Sequence, residues 1–330
     1  MGSSDLGLRV GLVGLGAVGT RIARALVESP EVRGVMVRST RAERLEQAVE
    51  TLGSKASAWG PDDEPGPDVV VLASASGSHV TAARHHVGRG RSVVSCSDDV
   101  DEIDGLLDLD DEAAAAGVTV VAGAAFSPGL SCVLARHAAS SLDRVTEVHT
   151  AMVGVGGPAC AQQRRRLHSH PGREWRDDRW VDVEGGSAQE LVWFPDPIAA
   201  RDCGRGALAE PILLHRAIPE ARLITARAGI DRSDRLLGFI PRRAPVAAEG
   251  DPGAIRVGLA GERDGETADV VYAVMDRPSV GAGTTAALAA LAAGATSRRG
   301  AMGLAELVDP LEFLGEMARR GIRAATFEPS

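Results

Sequence analysis

Three glycines carry the clearest chemical signal in this 330-residue sequence. Gly14, Gly16 and Gly19 stand in G-x-G-x-x-G spacing. The apolar residues Val10, Leu12 and Val13 precede them, and Val18, Ile22, Ala25 and Leu26 then recur at helical period. A strand, a tight turn and a helix N-terminus in this order suit a pyrophosphate. Gly14 permits the turn, Gly16 lets a phosphate approach the backbone, and Gly19 lets helix and strand pack closely. Ala17 and Val18 add free backbone N–H groups from the first helical turn. About 20 residues further on, dinucleotide sites selective for NAD carry an acidic residue on the ribose. Arg38, Ser39, Thr40 and Arg41 occupy that place here. Two guanidinium groups and two hydroxyls suit a 2′-phosphate, so the expected cofactor is NADP, with NAD as the alternative.

A second group of reactive side chains lies in the polar stretch 161–186, too irregular to assign to helix or strand. It holds Arg164, Arg165, Arg166, His168 and His170, with Trp175 and Trp180. Guanidinium groups beside imidazoles suit a substrate carboxylate and a proton donor, with a solvated basic loop as the alternative. Arg201, Asp202 and His215 follow an apolar turn and are further candidates for a cleft, although His215 equally suits packing on the Ile212–Leu214 turn. His168, His170 and His215 are therefore the candidate acid–base groups, and Arg164, Arg165, Arg166 and Arg201 the candidate substrate ligands. No Cys or third His stands near His168 and His170, so no metal is expected. Lys55 is the only lysine, which makes lysine-centred chemistry unexpected.

These groups need elements to position them. Strands are expected over 32–38, 68–73, 91–95 and 118–122, with helices over 41–52, 81–88 and 102–116. Ser76, Gly77 and Ser78 fall in a small-residue loop at a strand C-terminus, where open α/β sheets bind ligands. The alternation predicts a doubly wound parallel sheet of the Rossmann type. Residues 123–129, with Phe126 and Ser127, lead into a helix over 130–140 and form the expected wall of a substrate pocket. Strands over 145–155 and 222–230, and a hairpin of 255–262 with 268–276, have no long helices between them and predict a mainly antiparallel sheet. A small-residue helix follows over 284–295. Asp309 and Pro310 then open a last helix with Leu311, Leu314 and Met317 inward. The expected organisation is α/β. Residues 1–141 form a nucleotide-binding domain on which 284–330 pack back, and 142–283 form a substrate-binding α+β domain.

Composition narrows the partners. A net charge of −9 argues against nucleic acid or an anionic membrane as partner, leaving a small molecule. The longest apolar run, near 286–295, is too short to span a bilayer. The opening MGSSDLG lacks the basic and apolar regions of a signal peptide, so a cytoplasmic location is expected. Cys96, Cys132, Cys160 and Cys203 are far apart in sequence and are expected as reduced thiols.

The stretches GLGAVG, VVVLASASGSH, GRSVVSCSDD and GVTVVAGAAFSPGLS together resemble the saccharopine-dehydrogenase-like and diaminopimelate-dehydrogenase-like oxidoreductases. The later IRVGLAGERDGETADVVYAVMD and PLEFLGEMARRGI are similar to the C-terminal part of saccharopine-reductase-type proteins. The resemblance implies a homodimeric, two-domain NAD(P) enzyme. Its hydride would pass to or from a C=N or C=O carbon of a carboxylate-bearing, amino-acid-derived small molecule. It carries Gly14, Gly16 and Gly19 to the pyrophosphate, Ser76, Gly77 and Ser78 to the cofactor, and the loop from Phe126 to Gly129 to the pocket. Two departures stand out: Ser127 and Ser95 replace aspartates with which relatives often hold a substrate ammonium. A dihydrodipicolinate-reductase-like or diamino-acid dehydrogenase remains an alternative. So does a non-catalytic NADP-binding or sensing protein.

Overall fold

Valine-rich runs buried on both faces make the first sheet, as parallel strands covered by helices require. The computed structural model describes residues 7–60, 62–230 and 250–326. The chain divides into two units. One runs to Ala125 and takes up Ala282–Val308; the other comprises Phe126–Gly281 and the chain from Asp309 onward.

The first unit alternates strand and helix: β1 (Leu8–Val13), α1 (Ala17–Glu28), β2 (Val32–Arg38), α2 (Ala42–Leu52), β3 (Ala56–Ala58), β4 (Val69–Leu72), α3 (His79–Val87), β5 (Ser92–Ser95), α4 (Val100–Leu107), α5 (Asp110–Ala115) and β6 (Thr119–Ala122). The spatial order is β3-β2-β1-β4-β5-β6, with Gly300–Gly303 as a seventh strand beside β6, and every pairing is parallel. Strand order reverses between β1 and β4, the crevice where such sheets take ligands. Helix α1 buries Gly19, Ile22, Ala23 and Leu26, a face rotated from the expected Val18–Ala25 one. The expected single helix over 102–116 is two. An acidic run through Asp108, Asp110 and Asp111 suits a helix start better than an interior, and Leu109 is buried at the break. Lys55 serves the fold: its Nζ donates to the carbonyls of Val27 (2.9 Å) and Ser29 (3.1 Å) at the end of α1.

In the second unit α6 (Leu130–Ala139) leads to β7 (Arg144–Val153), α7 (Pro158–Ser169), β8 (Gly172–Arg176), β9 (Arg179–Val183), β10 (Glu190–Trp193), β11 (Ala200–Gly204), α8 (Glu210–Ala217), β12 (Leu223–Gly229), β13 (Gly253–Arg263) and β14 (Glu266–Asp276). The sheet runs β10-β11-β12-β7-β13-β14 and ends in Ala324–Thr326. It is antiparallel except between β12 and β7. Helices α6 and α8 pack on one face, and the C-terminal helix Pro310–Arg319 packs on α6. The polar stretch 161–186 is ordered as the end of α7 and the β8–β9 hairpin. Asp177 and Asp178 make its turn at φ 47° and 60°, which aspartate tolerates better than most residues.

Four further expectations need correction. Helix α6 packs on β7, β13 and β14, so the boundary falls at 125/126 and not at 141/142. Of the returning segment only Ala282–Val308 joins the first unit; the last helix joins the second. That helix buries Phe313 and Met317, whereas Leu311 is 69% exposed, because the inward stripe is offset from the expected one. The small-residue helix is longer than expected, Pro278–Ala295. Its glycines permit close approach: a Cβ on Gly283 would lie 2.5 Å from the Arg21 Cβ. Among the described residues no helix is long and apolar enough to cross a membrane.

The Asp309 side chain accepts the Glu312 N–H (2.9 Å), with Pro310 at the first helical position. Asp309→Ala should therefore cost the second unit about 1 kcal/mol, read as an earlier denaturant midpoint.

Candidate functional site

At the end of β1 the chain turns through Gly14 (φ 106°), whose Cβ would lie 2.7 Å from the Ala73 carbonyl oxygen at the end of β4. A Cβ on Gly19 would sit 2.0 Å from the Gly14 oxygen. Both glycines are demanded by backbone contact. Gly16 differs: it is exposed, and among the described residues nothing lies within 4 Å of the position its Cβ would take. Helix α1 begins there with no side-chain cap and no acidic residue in its first turn, leaving the N–H groups at Ala17 and Val18 free for an anion. Such a donor set and such clearance fit a dinucleotide pyrophosphate.

The neighbouring strand end completes this edge. Gly14 N donates to the Arg38 carbonyl (2.9 Å), which ties the glycine turn to β2. Arg38, Thr40 and Arg41 are exposed, and Ser39 Oγ accepts the Arg41 N–H at 3.2 Å. The first carboxylate after β2 is Glu43, in the first turn of α2.

Behind the Ser76–Ser78 loop lies a buried polar network not foreseen from the sequence. Glu102, on α4, accepts the N–H groups of Gly77 (2.8 Å) and His79 (2.7 Å) on Oε1, and the Ser97 hydroxyl (2.6 Å) on Oε2. His79 Nε2 donates to the Ser74 carbonyl (3.1 Å), which leaves Nδ1 to accept from Ser95 Oγ at 2.8 Å. Ser95 Oγ in turn accepts the Ser97 N–H at 3.2 Å. Burial pushes His79 below its usual range, opposed by Glu102, so the ring is neutral at pH 7. Ser95 thus holds His79 in the interior of its unit. The sequence signal was available: Asp99 caps α4, and Glu102 stands three residues later.

In the second unit a buried carboxylate organises the candidate substrate residues. Glu210, at the first position of α8, is 2% exposed, and its Oε1 accepts a hydrogen bond from Ser127 Oγ. Its Oε2 is buried without a hydrogen-bond partner among the described residues. Burial drives its pKa up; the Ser127 hydrogen bond, its own backbone N–H and the Arg164 charge oppose the shift. Arg164 is half-buried and donates through Nη2 to the Gly154 carbonyl at 3.1 Å. Phe126 is buried where Gly281 allows it, since a Cβ there would be 2.3 Å from the ring.

The other candidates are not gathered at Glu210. Helical geometry places Arg165 and Arg166 on the exposed side of α7, away from the face of Arg164, Leu167 and His168. His168 Nε2 meets the Gly229 carbonyl (3.2 Å). His170 is exposed and meets the Arg166 carbonyl through Nδ1 at 2.8 Å, a capping contact at the end of α7. His215 stacks on Trp175 with ring centroids 3.9 Å apart, and Trp180 meets it edge-on. Burial lowers its pKa, opposed by Asp178. Arg201 is exposed, with Nη1 on the carbonyl of its neighbour Ala200. Reasoning from residue type favoured histidines and missed Glu210, a lone carboxylate at the head of an apolar helix turn.

No family model matches the chain. Solved structures share its fold. The saccharopine dehydrogenase (L-Glu forming) of Saccharomyces cerevisiae superposes with a TM-score of 0.71 at 15% identity, over 98% of this chain and 100% of that one. The C. glutamicum DAP dehydrogenase, in complex with DAP, gives 0.54 at 16% identity, over 96% and 99%. An engineered D-amino acid dehydrogenase bound to NADP+ gives 0.51 at 15%, over 95% and 99%. The resemblance seen in the sequence motifs therefore extends to the whole fold, a Rossmann-type unit joined to an α+β unit.

Two outcomes follow from these contacts. Gly16→Ala should fold like the parent yet bind NADPH at least about tenfold more weakly, a loss of ~1.4 kcal/mol in a fluorescence titration. Gly19→Ala should instead destabilise the first unit by about 1–3 kcal/mol, read by chemical denaturation. The raised pKa of Glu210 also has a defined sign. Its contribution is fully present below the ordinary value of 4.5 and is lost as pH rises through the folded value. Glu210→Gln removes that loss. The variant should match the parent's pH response below pH 4.5 and gain on it above, by at most ~1.4 kcal/mol per pH unit, in denaturation curves taken across pH.

Proposed function

We propose that the chain is a nicotinamide-dependent oxidoreductase that prefers NADP and acts on a carboxylate-bearing, amino-acid-derived imine or ketone. The observation that carries this reading is the open cradle at Gly16, set at the reversal of strand order with an uncapped helix behind it. That proteins of the same fold are dehydrogenases by name, one of them bound to NADP+, supports it by analogy of fold. The nicotinamide supplies or accepts the hydride when bound. The chain's own residues do the rest. Gly14, Gly16, Ala17, Val18 and Gly19 receive the pyrophosphate, and Arg38 and Arg41, with Ser39 and Thr40, receive the 2′-phosphate. Ser76 and Ser78 offer hydroxyl groups to the cofactor, and Gly77 between them lets it approach a loop that Glu102 holds through the Gly77 and His79 N–H groups. On the substrate side Phe126 supplies an apolar wall, and Arg164 takes the carboxylate. A cytoplasmic homodimer belongs to the same reading.

A second reading rests on the two serines. Ser95 is engaged with His79 and Ser127 with Glu210, so neither position offers a carboxylate to an ammonium, which favours a protein that senses NADP without turning over a substrate. NADPH oxidation by wild type over a panel of 2-oxo acids with ammonia, and of cyclic imino acids, separates the two readings: turnover supports the enzyme, and tight binding without turnover supports the sensor.

Cofactor choice gives a direct check. NADPH should bind at least about tenfold tighter than NADH, a difference of ~1.4 kcal/mol. Arg38→Ala should remove most of that preference while leaving NADH affinity unchanged. Equal affinity of the parent for both cofactors would sink the 2′-phosphate assignment.

A further inference from the structure

The structure points to an acid that none of the histidines supplies. His168, His170 and His215 are held, respectively, at the Gly229 carbonyl, at the end of α7 and against Trp175. Ser127 is half-buried in the loop that leads into α6, and the buried Glu210 is joined to it through the Ser127 Oγ–Glu210 Oε1 hydrogen bond. Resting on the oxidoreductase reading above, we propose that Ser127 delivers the proton to the substrate nitrogen or oxygen and that Glu210 supplies it through Ser127.

The arrangement meets the demands of a two-step relay. Glu210 is buried with Oε1 on Ser127 and Oε2 without a hydrogen-bond partner among the described residues, so ionisation would place in the interior a charge that Ser127, its own backbone N–H and Arg164 only partly offset. Burial favours the neutral acid, the form that can give up a proton. Arg164, from α7, is the charge that opposes this. The Cys203 thiol, on which Arg164 also acts, is pushed up to about 12 by burial and stays neutral. In the reductive direction the hydride adds to the C=N or C=O carbon, and the electron pair of that double bond moves to nitrogen or oxygen. For the transfer the Ser127 hydroxyl turns from Glu210 Oε1 toward that atom, which takes the Oγ hydrogen as the carboxyl hydrogen, carried on Oε1, passes to Oγ. Glu210 is left as carboxylate and is reprotonated from water. The two electrons come from the reduced nicotinamide, and one proton is consumed per turnover.

The test uses the full chain with NADPH and the same panel of 2-oxo acids with ammonia and cyclic imino acids. Glu210→Gln keeps size and the acceptor for Ser127 but carries no acid proton, and Ser127→Ala removes the relay. Each should lower kcat by about 10²–10⁴-fold with NADPH affinity unchanged, and the double variant should be no worse than either alone. Ser127→Thr, which retains a hydroxyl, should recover rate relative to Ser127→Ala. The wild-type kcat should fall as pH rises through the Glu210 titration, and Glu210→Gln should lose that limb. Independent of turnover, infrared spectra should show a neutral carboxyl band that vanishes in Glu210→Gln and shifts in Ser127→Ala. Wild-type rates in Glu210→Gln, additive losses in the double variant, or absence of the neutral carboxyl band would overturn the relay alone. A wild-type protein that oxidises NADPH with no compound of the panel overturns the oxidoreductase reading, and the catalytic relay with it.

Discussion

The constraint on which the first unit depends is a backbone contact at the ends of β1 and β4. Gly14 and Gly19 have no room for a Cβ, because the Ala73 carbonyl and the Gly14 carbonyl already stand there. That contact sets the start of α1 against the sheet and so aims the first-turn N–H groups outward at the crevice. Gly16, between the two crowded glycines, is free of such contacts. Crowding at two positions and clearance at the third are what the proposed phosphate cradle requires, since a turn that served packing alone would need no vacancy.

Each unit also buries one carboxylate next to its candidate site, and the two are managed differently. Glu102 accepts three hydrogen bonds from loop backbone and Ser97, so both of its oxygens are used. A buried acceptor satisfied in this way acts as a clamp, holding Gly77 and His79 in place. Glu210 has one side-chain hydrogen bond, to Ser127, and its Oε2 has no side-chain partner among the described residues. Its burial penalises charge more than Ser127, its own backbone N–H and Arg164 offset, so the same functional group becomes a proton store. Context sorts two glutamates into a fastener and an acid, much as burial sorts pairs of catalytic carboxylates.

The elements of the first unit were legible in the sequence because they depend on local rules. Glycine spacing, valine runs and strand–helix alternation are short-range, and they placed β1, α1, β4 and the Ser76–Ser78 loop correctly. The substrate side depends on which residues distant in sequence are brought together, and there local rules misled. Arg164, Arg165 and Arg166 read as one basic cluster until the helical period of α7 turns only the first of them inward. His170 looked like an acid–base group but sits where α7 needs its last carbonyls met. The bond between Ser127 and Glu210 spans 83 residues and has no local signature. The Leu311 error has the same origin: a helical stripe read one position out of phase, with no neighbouring helix in view to set it.

The two serines sharpen the chemistry more than they weaken it. A carboxylate at 127 or 95 would carry its own charge. A hydroxyl borrows its character from the group behind it, so the second partner becomes informative. Ser95 is backed by a neutral imidazole and by the Ser97 N–H, all buried at the end of β5, and its role ends with positioning the loop. Ser127 is backed by a carboxyl that burial holds in the acid form, and it stands at a half-buried loop preceding a helix N-terminus. A half-buried hydroxyl backed by an acid can both donate and accept, which a carboxylate in the same place could not do without first gaining a proton. On the proposed relay, a serine in front of a buried glutamic acid makes no demand for a cationic nitrogen and suits a neutral nitrogen or oxygen in need of a proton.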